Sequence, residues 1–401
     1  MLSLPIPSLR FTIGLTALLL IASFLSAPQT ATAQASLSDG PGGVLSPTML
    51  GRGDAGVALA SRETALFYNP AHLARATDSY FTLVGVAIGA STNVEDAYTL
   101  YDEKLQFEDE ASFAENRETS RQALDLFGAP ALVRSTLHLP TFGFRVGPVG
   151  VSAGGYVNQA ARVQALDFGT PISTVSVFGK IDEIIAVSAG LPLTKGLSVG
   201  VTGRHVRRHV TAYRETVDAL DALPVLEGTA MAVDFGLLYE TALPGLTAGL
   251  SVYDAVGGDM TYREGDLHGL IDPVDADPRA VQSAQEMLSG LGDPSFRVGA
   301  AYALPTGHLW AVKSATLLAD YVSASSTTLR QSTVQKLRVG AETAHGPLRI
   351  RGGLGQGAFS AGGGLNLLFL QLDYAYYGRQ EGFAPEHGTS RAHMLQLRFG
   401  R

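Results

Sequence analysis

The sequence predicts an all-β fold: a transmembrane antiparallel β-barrel of about fourteen strands, with an N-terminal hatch (plug) of short helical turns inside the lumen. Three observations lead to this prediction. After residue 78 the chain falls into short segments in which apolar and polar side chains alternate, and the connections between them are alternately long and short. The composition, with 46 glycines, 14 tyrosines and no cysteine in 401 residues, is typical of sheets and turns held together without disulfides.

Residues 1–33 have the pattern of a secretory signal peptide. Arg10 precedes an apolar run over 11–25, and the small-residue string TATAQA follows. This run of about 15 residues is shorter than the roughly 20 that a membrane-spanning helix needs. We therefore expect Sec-dependent export with cleavage after Ala33. No later segment has a long apolar run, which argues against a helical membrane protein, and the absence of cysteine excludes a lipoprotein anchor.

Alternation with a period of two defines the strands of a predicted barrel domain, 79–401. In one segment Leu337 and Val339 alternate with Arg338 and Glu342, so the apolar set lies on one face and the charges lie on the other. A soluble sandwich would show the same alternation, which leaves both classes open at this point. The predicted strands are 79–90, 135–146, 148–159, 182–191, 196–208, 229–241, 245–254, 295–304, 313–322, 334–344, 347–354, 358–365, 370–377 and 391–399.

The lengths of the connections favour the barrel. Those after even-numbered strands are tight, such as PLTKG and HGP, whereas those after odd-numbered strands are mostly long, such as 91–134 and 255–294, with the short GQG at 355–357 as the exception. Long loops on one rim and short turns on the other are typical of barrels in the bacterial outer membrane. The final strand, HMLQLRFGR, resembles the C-terminal targeting strand of such proteins. We therefore predict an outer-membrane location.

Three of the long connections have apolar residues near helical spacing. They are 109–128, 277–292 and, more weakly, the stretch AYRETVDALDAL that begins at residue 212. Such helices could cap the lumen, although ordinary surface loops would show similar sequences.

Residues 34–78 differ from the rest and predict a compact hatch. Gly51 and Gly53 permit tight turns, and the Asn69-Pro70 step fixes a break in the backbone. Small residues in AGVALASRETALF suit close packing against an enclosing wall. A barrel of about fourteen strands is too wide for its own side chains to fill, so a plug in the lumen is expected.

The stretches GRGDAGVALA and ALFYNPAHLA, within residues 44–76, resemble the N-terminal hatch of the FadL-type long-chain fatty-acid transporters. The same pattern is found in a wider superfamily that includes toluene-uptake channels and PorV-type proteins of type IX secretion. Four later phrases, GLSVGVTGRHV, SFRVGAAYAL, LRVGAE and LQLDYAYYG, are similar to the PorV-like branch. His72 stands where the family usually has glycine. The resemblance implies these hatch or gating residues: Gly51, Gly53, Asp54, Ala55, Phe67, Tyr68, Asn69, Pro70 and Ala71.

Charged residues of both signs fall on the inward register of the predicted strands. Because a lone buried charge is costly, we expect these groups to pair across the lumen and with the hatch. An arginine among them could instead bind the carboxylate of a fatty acid or peptide. The predicted lumen network consists of Arg204, Asp234, Arg297, Asp320, Arg338, Glu342, Arg349, Arg351, Asp373 and Arg398.

The other motifs do not predict a catalytic or metal site. GLSVG at 196–200 satisfies G-x-S-x-G, but Ser198 begins a strand instead of the strand-to-helix turn that a nucleophile elbow needs. His205 and His209 are four apart in a strand, about 13 Å, too far for one metal. The acidic stretch 272–278 is typical of a solvated surface loop. The net charge of −8 argues against nucleic-acid binding. We expect no enzymatic activity, no metal and no cofactor.

The resemblance implies passive uptake of hydrophobic small molecules, such as long-chain fatty acids, through a channel gated by the hatch. An alternative is a PorV-like shuttle or docking barrel for type IX secretion, and a third is a structural barrel whose hatch never opens. The expected partners are outer-membrane lipid and lipopolysaccharide, a hydrophobic ligand, the outer-membrane assembly machinery and, in the alternative, secretion-system proteins.

Overall fold

The computed structural model describes residues 44–59, 61, 64–76, 78–96, 121, 130–166, 174–216, 225–257, 260–264, 294–305, 312–323, 333–379 and 390–400. The predicted signal peptide lies outside these residues, as do the acidic loop 272–278 and nearly all of the predicted loop helices 109–128 and 277–292.

Within the described part of the chain, no helix has the length and apolarity to cross a membrane.

The described residues form a sheet of sixteen strand segments, together with a few short helices. The short α-helices are Pro47–Leu50, Ala65–Tyr68 and Thr333–Lys336, and a 3-10 helix spans Pro70–Arg75. The strands are β1 (Tyr80–Ser91), β2 (Ala131–His138), β3 (Thr141–Val146), β4 (Val149–Leu166), β5 (Thr174–Pro192), β6 (Leu197–Thr216), β7 (Leu226–Glu240), β8 (Leu246–Gly257), β9 (Thr261–Glu264), β10 (Ser295–Leu304), β11 (Ser314–Val322), β12 (Leu337–His345), β13 (Leu348–Gly355), β14 (Ala358–Leu367), β15 (Leu370–Arg379) and β16 (Ser390–Gly400).

The sheet closes on itself because β1 pairs with β16, for example Val86 opposite Leu397. β2 and β3 are two halves of one wall strand, since both pair with β1 on one side and with β4 on the other. β9 pairs with the part of β7 that lies beyond β8 and so continues the position of β8. The described segments therefore form a closed antiparallel barrel of fourteen wall strands, which confirms the predicted fold class.

The faces of the barrel distinguish a membrane protein from a soluble sandwich. On β1, Leu83 and Ile88 point outward and are 56% and 58% exposed, whereas the inward Ala87 is fully buried. On β12 and β16 the outward residues are again apolar, and the inward Arg338 and Arg398 are buried. A continuous apolar exterior around a polar interior is stable only when lipid surrounds the barrel.

The wall is uneven in height. β4, β5 and β6 contain 18, 19 and 20 residues, whereas β13 contains 8. The sequence prediction made the tall strands too short, because it ended β4 at 159 and β6 at 208 and began β5 at 182. The weak helix prediction beginning at residue 212 is wrong over 212–216, which belong to β6. The physical reason is that outward residues above the lipid, such as Glu183 and Arg207, are charged, so the apolar-polar alternation ends there.

Residues 44–76, called the N-terminal segment below, pack against the inner face of the wall. The 3-10 helix Pro70–Arg75 contacts β4, β5, β6 and β7, and the helix Pro47–Leu50 contacts β14, β15 and β16. The 3-10 helix lies toward the end of the barrel that carries the short turns, whereas Leu50 lies beside Tyr377 and the turn at Gln356, toward the other end. Nearly all described side chains of the segment are buried, so it occupies the lumen.

Candidate functional site

The Asn69-Pro70 step joins the N-terminal segment to the wall. Asn69 is fully buried, and its Oδ1 accepts a hydrogen bond from Ala71 N at 3.0 Å, which caps the 3-10 helix. Its Nδ2 donates to Val57 O at 2.9 Å and to Leu237 O on β7 at 3.0 Å. Pro70 is the first residue of the helix, where a missing N–H costs nothing. These residues hold two parts of the segment and the barrel together.

Glycines of the wall let this backbone approach closely. A Cβ added to Gly200 would lie 2.3 Å from Pro70 C, and one added to Gly236 would lie 2.1 Å from Asn69 Oδ1. Contacts of this length would force the helix away from the wall. The glycines of β6 and β7 are therefore part of the docking surface for Asn69, Pro70 and Ala71.

The turn at Gly53 and Asp54 docks on the opposite side of the lumen. Both residues have positive φ angles, +71° and +62°, which is unusual for an aspartate. Gly53 N donates to Ser360 Oγ on β14 at 2.9 Å. Gly51 has an ordinary φ of −61°, so it matters for its closeness to Gly362 and not for backbone freedom. Nearby, Ala55 packs in an apolar cluster with Ala58, Ala301 and Leu318.

Phe67 and Tyr68 place aromatic rings on the β4–β6 side. The Phe67 ring meets the Tyr156 ring edge-on at 4.5 Å, and Tyr156 meets His138 at 5.1 Å. Tyr68 OH donates to Asp54 Oδ1 at 3.0 Å, which links the two ends of the segment. The carbonyl of Tyr68 accepts hydrogen bonds from Ser251 and Tyr253 on β8. The apolar cluster on this side also contains Leu66, Ile184 and Val206.

The aromatic group lies just inside a break in the wall. The second wall strand is interrupted at Leu139 and Pro140, between β2 and β3, and Pro140 cannot donate a ladder hydrogen bond. A small pocket lies inside this break. Val44, Phe67 and Tyr156 line it, and His138 and Thr141 flank the break. The other lining residues are polar or charged: Ser46, Thr64, Thr82, Gln396 and Arg398.

Buried ion pairs hold the Gly53-Asp54 turn. Arg297 Nη2 lies 3.0 Å from Asp54 Oδ2, and Arg297 also donates to the Asp54 carbonyl. Asp320 lies 3.8 Å from Arg297 and accepts hydrogen bonds from Gly56 N at 2.7 Å and Val57 N at 3.0 Å. Arg338 is 4.0 Å from Asp54. Four predicted lumen or hatch residues therefore form one cluster with the segment.

A second chain of charges continues along the wall. Arg52 lies 3.6 Å from Glu342, Glu342 is 2.6 Å from Arg351, and Arg351 is 2.7 Å from Asp373. Arg398 is 3.5 Å from the same aspartate. Arg349 lies on the inward register of β13 two residues from Arg351 and acts on Glu342 through its charge.

Arg204 and Asp234 belong to a separate group. They pair at 2.8 Å, and Arg204 also reaches Asp254 at 2.8 Å. They lie farther from the short turns than Gly200, which contacts the segment. A similar pair, Arg208 and Asp182, follows on the tall strands. The predicted network is thus three groups, and two of them contact the N-terminal segment, through Asp54 and through Arg52.

Sequence reasoning missed several of these residues. Arg52 is absent from the predicted hatch residues, yet both charged residues of GRGD, Arg52 and Asp54, bind the wall. Lys180 lay in a stretch predicted as a loop, and its neighbour Asp182 began the next predicted strand, yet both are buried inside β5. Lys180 lies on the same inward register as Asp182, so the alternation of β5 between residues 174 and 182 contains the signal for both.

Two titratable groups of the segment are shifted. Burial favours protonation of Asp54, but the charges of Arg297, Arg379 and Arg338 outweigh it and hold the pKa of this carboxyl below its usual value. Burial lowers the pKa of the His72 imidazole to about 4, and the nearby Arg75 and Arg52 add to this effect. At neutral pH the docked segment therefore carries an ionised Asp54 and a neutral His72.

The other chemical motifs form no site in the described residues. Ser198 lies inside β6 and is buried, so the G-x-S-x-G match is not a strand-to-helix turn. His205 points outward and His209 is buried. Among the residues that the structure describes, no group of three or more His, Asp or Glu side chains is placed to hold a metal ion.

The closed sheet, the apolar exterior and the filled lumen define a transmembrane β-barrel of the bacterial outer membrane. No protein-family model matches the chain, and no curated protein does. Solved structures do match. The CymD monoaromatic hydrocarbon channel is 12% identical with a TM-score of 0.50, and the match covers 91% of this chain and 98% of CymD. This likeness shows that the chain has the fold of the FadL-type outer-membrane channels, as the resemblance of residues 44–76 predicted.

Two further structures match with lower scores. The Ralstonia pickettii toluene transporter TbuX is 11% identical with a TM-score of 0.48, covering 89% of this chain and 98% of TbuX. A Pseudomonas aeruginosa FadL homologue is 11% identical with a TM-score of 0.44, covering 93% and 97%.

Proposed function

We propose that this protein is an outer-membrane channel for hydrophobic small molecules, with the N-terminal segment as its hatch. The observation that carries the proposal is the cavity between Phe67 of the segment and the wall break at Leu139 and Pro140. The structural neighbour CymD is a monoaromatic hydrocarbon channel, and long-chain fatty acids are a second ligand class consistent with the resemblance. No catalytic step is part of the proposal.

The distribution of polarity supports a path on one side of the lumen. The side formed by β10–β16 carries the ion pairs of Asp54, Arg297 and Glu342. An apolar molecule there would separate charged groups from their polar partners, which is energetically unfavourable. The side formed by β4–β6 carries the apolar cluster around Phe67 and Tyr156. A hydrophobic molecule in the pocket there would lie next to the lipid-facing surface and against Phe67 and Tyr156, with Arg398 on the β16 side of the same pocket.

In this proposal the Phe67 ring is the gating element. It separates the cavity from the rest of the apolar cluster through its edge-on contact with Tyr156. Rotation of the Phe67 and Tyr156 rings would widen the path while the Asn69 hydrogen bonds and the ion pairs of Asp54 stay in place. The segment can therefore gate without leaving the barrel.

The test is transport by the full-length protein in lipid vesicles. Tracers would be radiolabelled toluene and a labelled long-chain fatty acid. Phe67→Ala should raise the transport rate several-fold with barrel assembly unchanged, because it enlarges the cavity. The matched control is Phe142→Ala, which removes an outward-facing ring and should behave like the wild type. Transport by the wild-type protein no faster than by empty vesicles would overturn the proposal.

A docking barrel for secreted proteins is the second candidate, and the tall wall favours it. Membrane-spanning strands need about 9–11 residues, whereas β6 has 20, so its upper part extends beyond the lipid. Exposed charges such as Arg263 and Glu183 lie on that extension. This role predicts co-purification with secretion components or their cargo, and transport of tracers into vesicles by the isolated barrel would count against it.

A further inference from the structure

We propose that the low rim of the barrel carries a binding site for the phosphate group of an anionic lipid, formed by Arg338 and Arg379. This site is distinct from the proposed channel cavity. It lies at the other side of the N-terminal segment, where the hatch turn at Asp54 meets the rim turn at Gln356.

A small, partly open cleft lies between the two turns. Its lining includes Asp54, Arg338, Gln356, Ser360 and Arg379. Asp54 and Gln356 both have positive φ angles, +62° and +52°. Such conformations are costly for residues other than glycine and persist where the surrounding structure enforces them, often at binding sites.

The charges around the cleft favour an anion. Asp54 is engaged by Arg297, which binds both its side chain and its carbonyl. Arg338 and Arg379 add two further positive charges near the same carboxylate. Arg338 Nε is buried and has no hydrogen-bond partner among the described residues. An anionic oxygen in the cleft would accept a charge-assisted hydrogen bond from this N–H.

In the neighbouring chain of charges that begins at Arg52, each carboxylate is also paired with two arginines. Glu342 is paired with both Arg52 and Arg351, and Asp373 is paired with both Arg351 and Arg398. None of these carboxylates is therefore a spare counter-ion for the cleft.

The height of the wall identifies the source of the anion. β13 has only 8 residues, fewer than the roughly 9–11 that span a membrane. Its outward side chains are apolar from Leu348 beside the short turn to Leu354 beside the rim, and Phe359 on β14 continues this surface. The rim at Gln356 therefore lies at the membrane surface. The anionic groups found at that level are lipid phosphates, which guanidinium pairs bind well.

The experiment measures binding to the full-length protein in neutral detergent. Probes are dioctanoyl phosphatidic acid, dioctanoylglycerol and inorganic phosphate, followed by native mass spectrometry and calorimetry. The wild type should bind phosphatidic acid and not dioctanoylglycerol. Arg338→Gln and Arg379→Gln should each weaken phosphatidic acid binding by roughly ten-fold or more, since each removes a charge-assisted hydrogen bond. The control, Arg263→Gln, changes an exposed arginine far from the cleft and should leave the affinity unchanged.

Arg379→Lys keeps the test valid if loss of a buried charge impairs folding. Lysine retains the positive charge but not the planar fork, so this variant should fold and keep more of the affinity than Arg379→Gln. Wild-type affinity in a folded Arg379→Gln protein would overturn the proposal. Inorganic phosphate bound as tightly as phosphatidic acid would assign the cleft to free phosphate and overturn the lipid assignment.

Discussion

The side-chain amide of Asn69 donates a hydrogen bond to the main-chain carbonyl of Leu237 at 3.0 Å, and so ties the N-terminal segment directly to the barrel wall. The same nitrogen donates to Val57 O, while the amide oxygen caps the helix that follows. Serine or threonine could cap the helix but has no amide nitrogen with two donors. This explains why asparagine precedes proline at this point.

Asn69→Ala should loosen the segment without unfolding the barrel. It leaves the buried carbonyls of Val57 and Leu237 without this partner, and we expect docking to weaken by about 3 kcal/mol. Hydrogen exchange of residues 64–76, measured by mass spectrometry, should speed up accordingly, while exchange in β15 and β16 stays slow. Asn366→Ala, at an exposed turn, is the control. Unchanged protection of 64–76 would show that the amide contributes little.

Two ion pairs of the segment should differ sharply in strength. Asp54→Asn breaks the buried pair with Arg297 and should cost about 3–5 kcal/mol of docking free energy, because a buried guanidinium loses its partner charge. Glu240→Gln breaks the exposed pair with Arg75, also at 3.0 Å, and should cost less than about 1 kcal/mol. Limited proteolysis of the segment in the two variants would measure the contrast. Equal susceptibility would contradict the assignment of Asp54 as an anchor.

The strands were predictable from the sequence wherever lipid and lumen impose opposite preferences on neighbouring residues. This holds for Leu337 and Arg338, and it fails above the lipid, where the outward Glu183 and Arg207 are both charged. The break in the second wall strand was also missed, although Pro140 inside a predicted strand was a signal for it.

The candidate site was only partly predictable. The alternation identified which charges point inward, but not their partners. Arg351 pairs with Glu342 because β12 and β13 place them directly opposite each other, and it pairs with Asp373 across β14. The register between strands, and the position of residues 44–76 in the lumen, set these contacts. Neither is encoded in the local pattern of any one strand.

Acid should release the segment over a defined pH range. The pKa of His72 is about 4 in the docked state and about 6.5 when the segment is exposed, so the exposed segment binds a proton that the docked one excludes. Docking is therefore strongest above pH 6.5 and weakens toward pH 4, by up to about ten-fold for each pH unit. Asp54, whose pKa is held low, resists acid until below its ordinary value of 3.8. In the His72→Gln variant, hydrogen exchange of the segment, corrected for its intrinsic pH dependence, should not change between pH 6.5 and 4. If the variant shows the same pH dependence as the wild type, His72 is excluded as the cause.

Neighbouring glycines of β13 offer the most direct test that the segment packs backbone to backbone on the wall. A Cβ at Gly353 would lie 2.4 Å from Arg52 C and 2.5 Å from Gly53 N, whereas a Cβ at Gly352 meets nothing within 4 Å. Gly353→Ala should therefore displace the Gly53 turn, at a cost of about 1–3 kcal/mol, and break its hydrogen bond to Ser360. Gly352→Ala should behave like the wild type or gain slightly, since alanine restricts the unfolded chain.

The pair Gly200 and Gly203 on β6 repeats this test at the other end of the segment. A Cβ at Gly200 would lie 2.3 Å from Pro70 C, and one at Gly203 meets nothing within 4 Å. Hydrogen exchange should report opening of 47–59 in Gly353→Ala and of 64–76 in Gly200→Ala, each with its neighbour as control. If opening of one end also releases the other, the segment moves as one hatch, because Tyr68 and Asp54 are hydrogen-bonded across it. If all four variants protect the segment equally, close packing against the wall does not hold it in place.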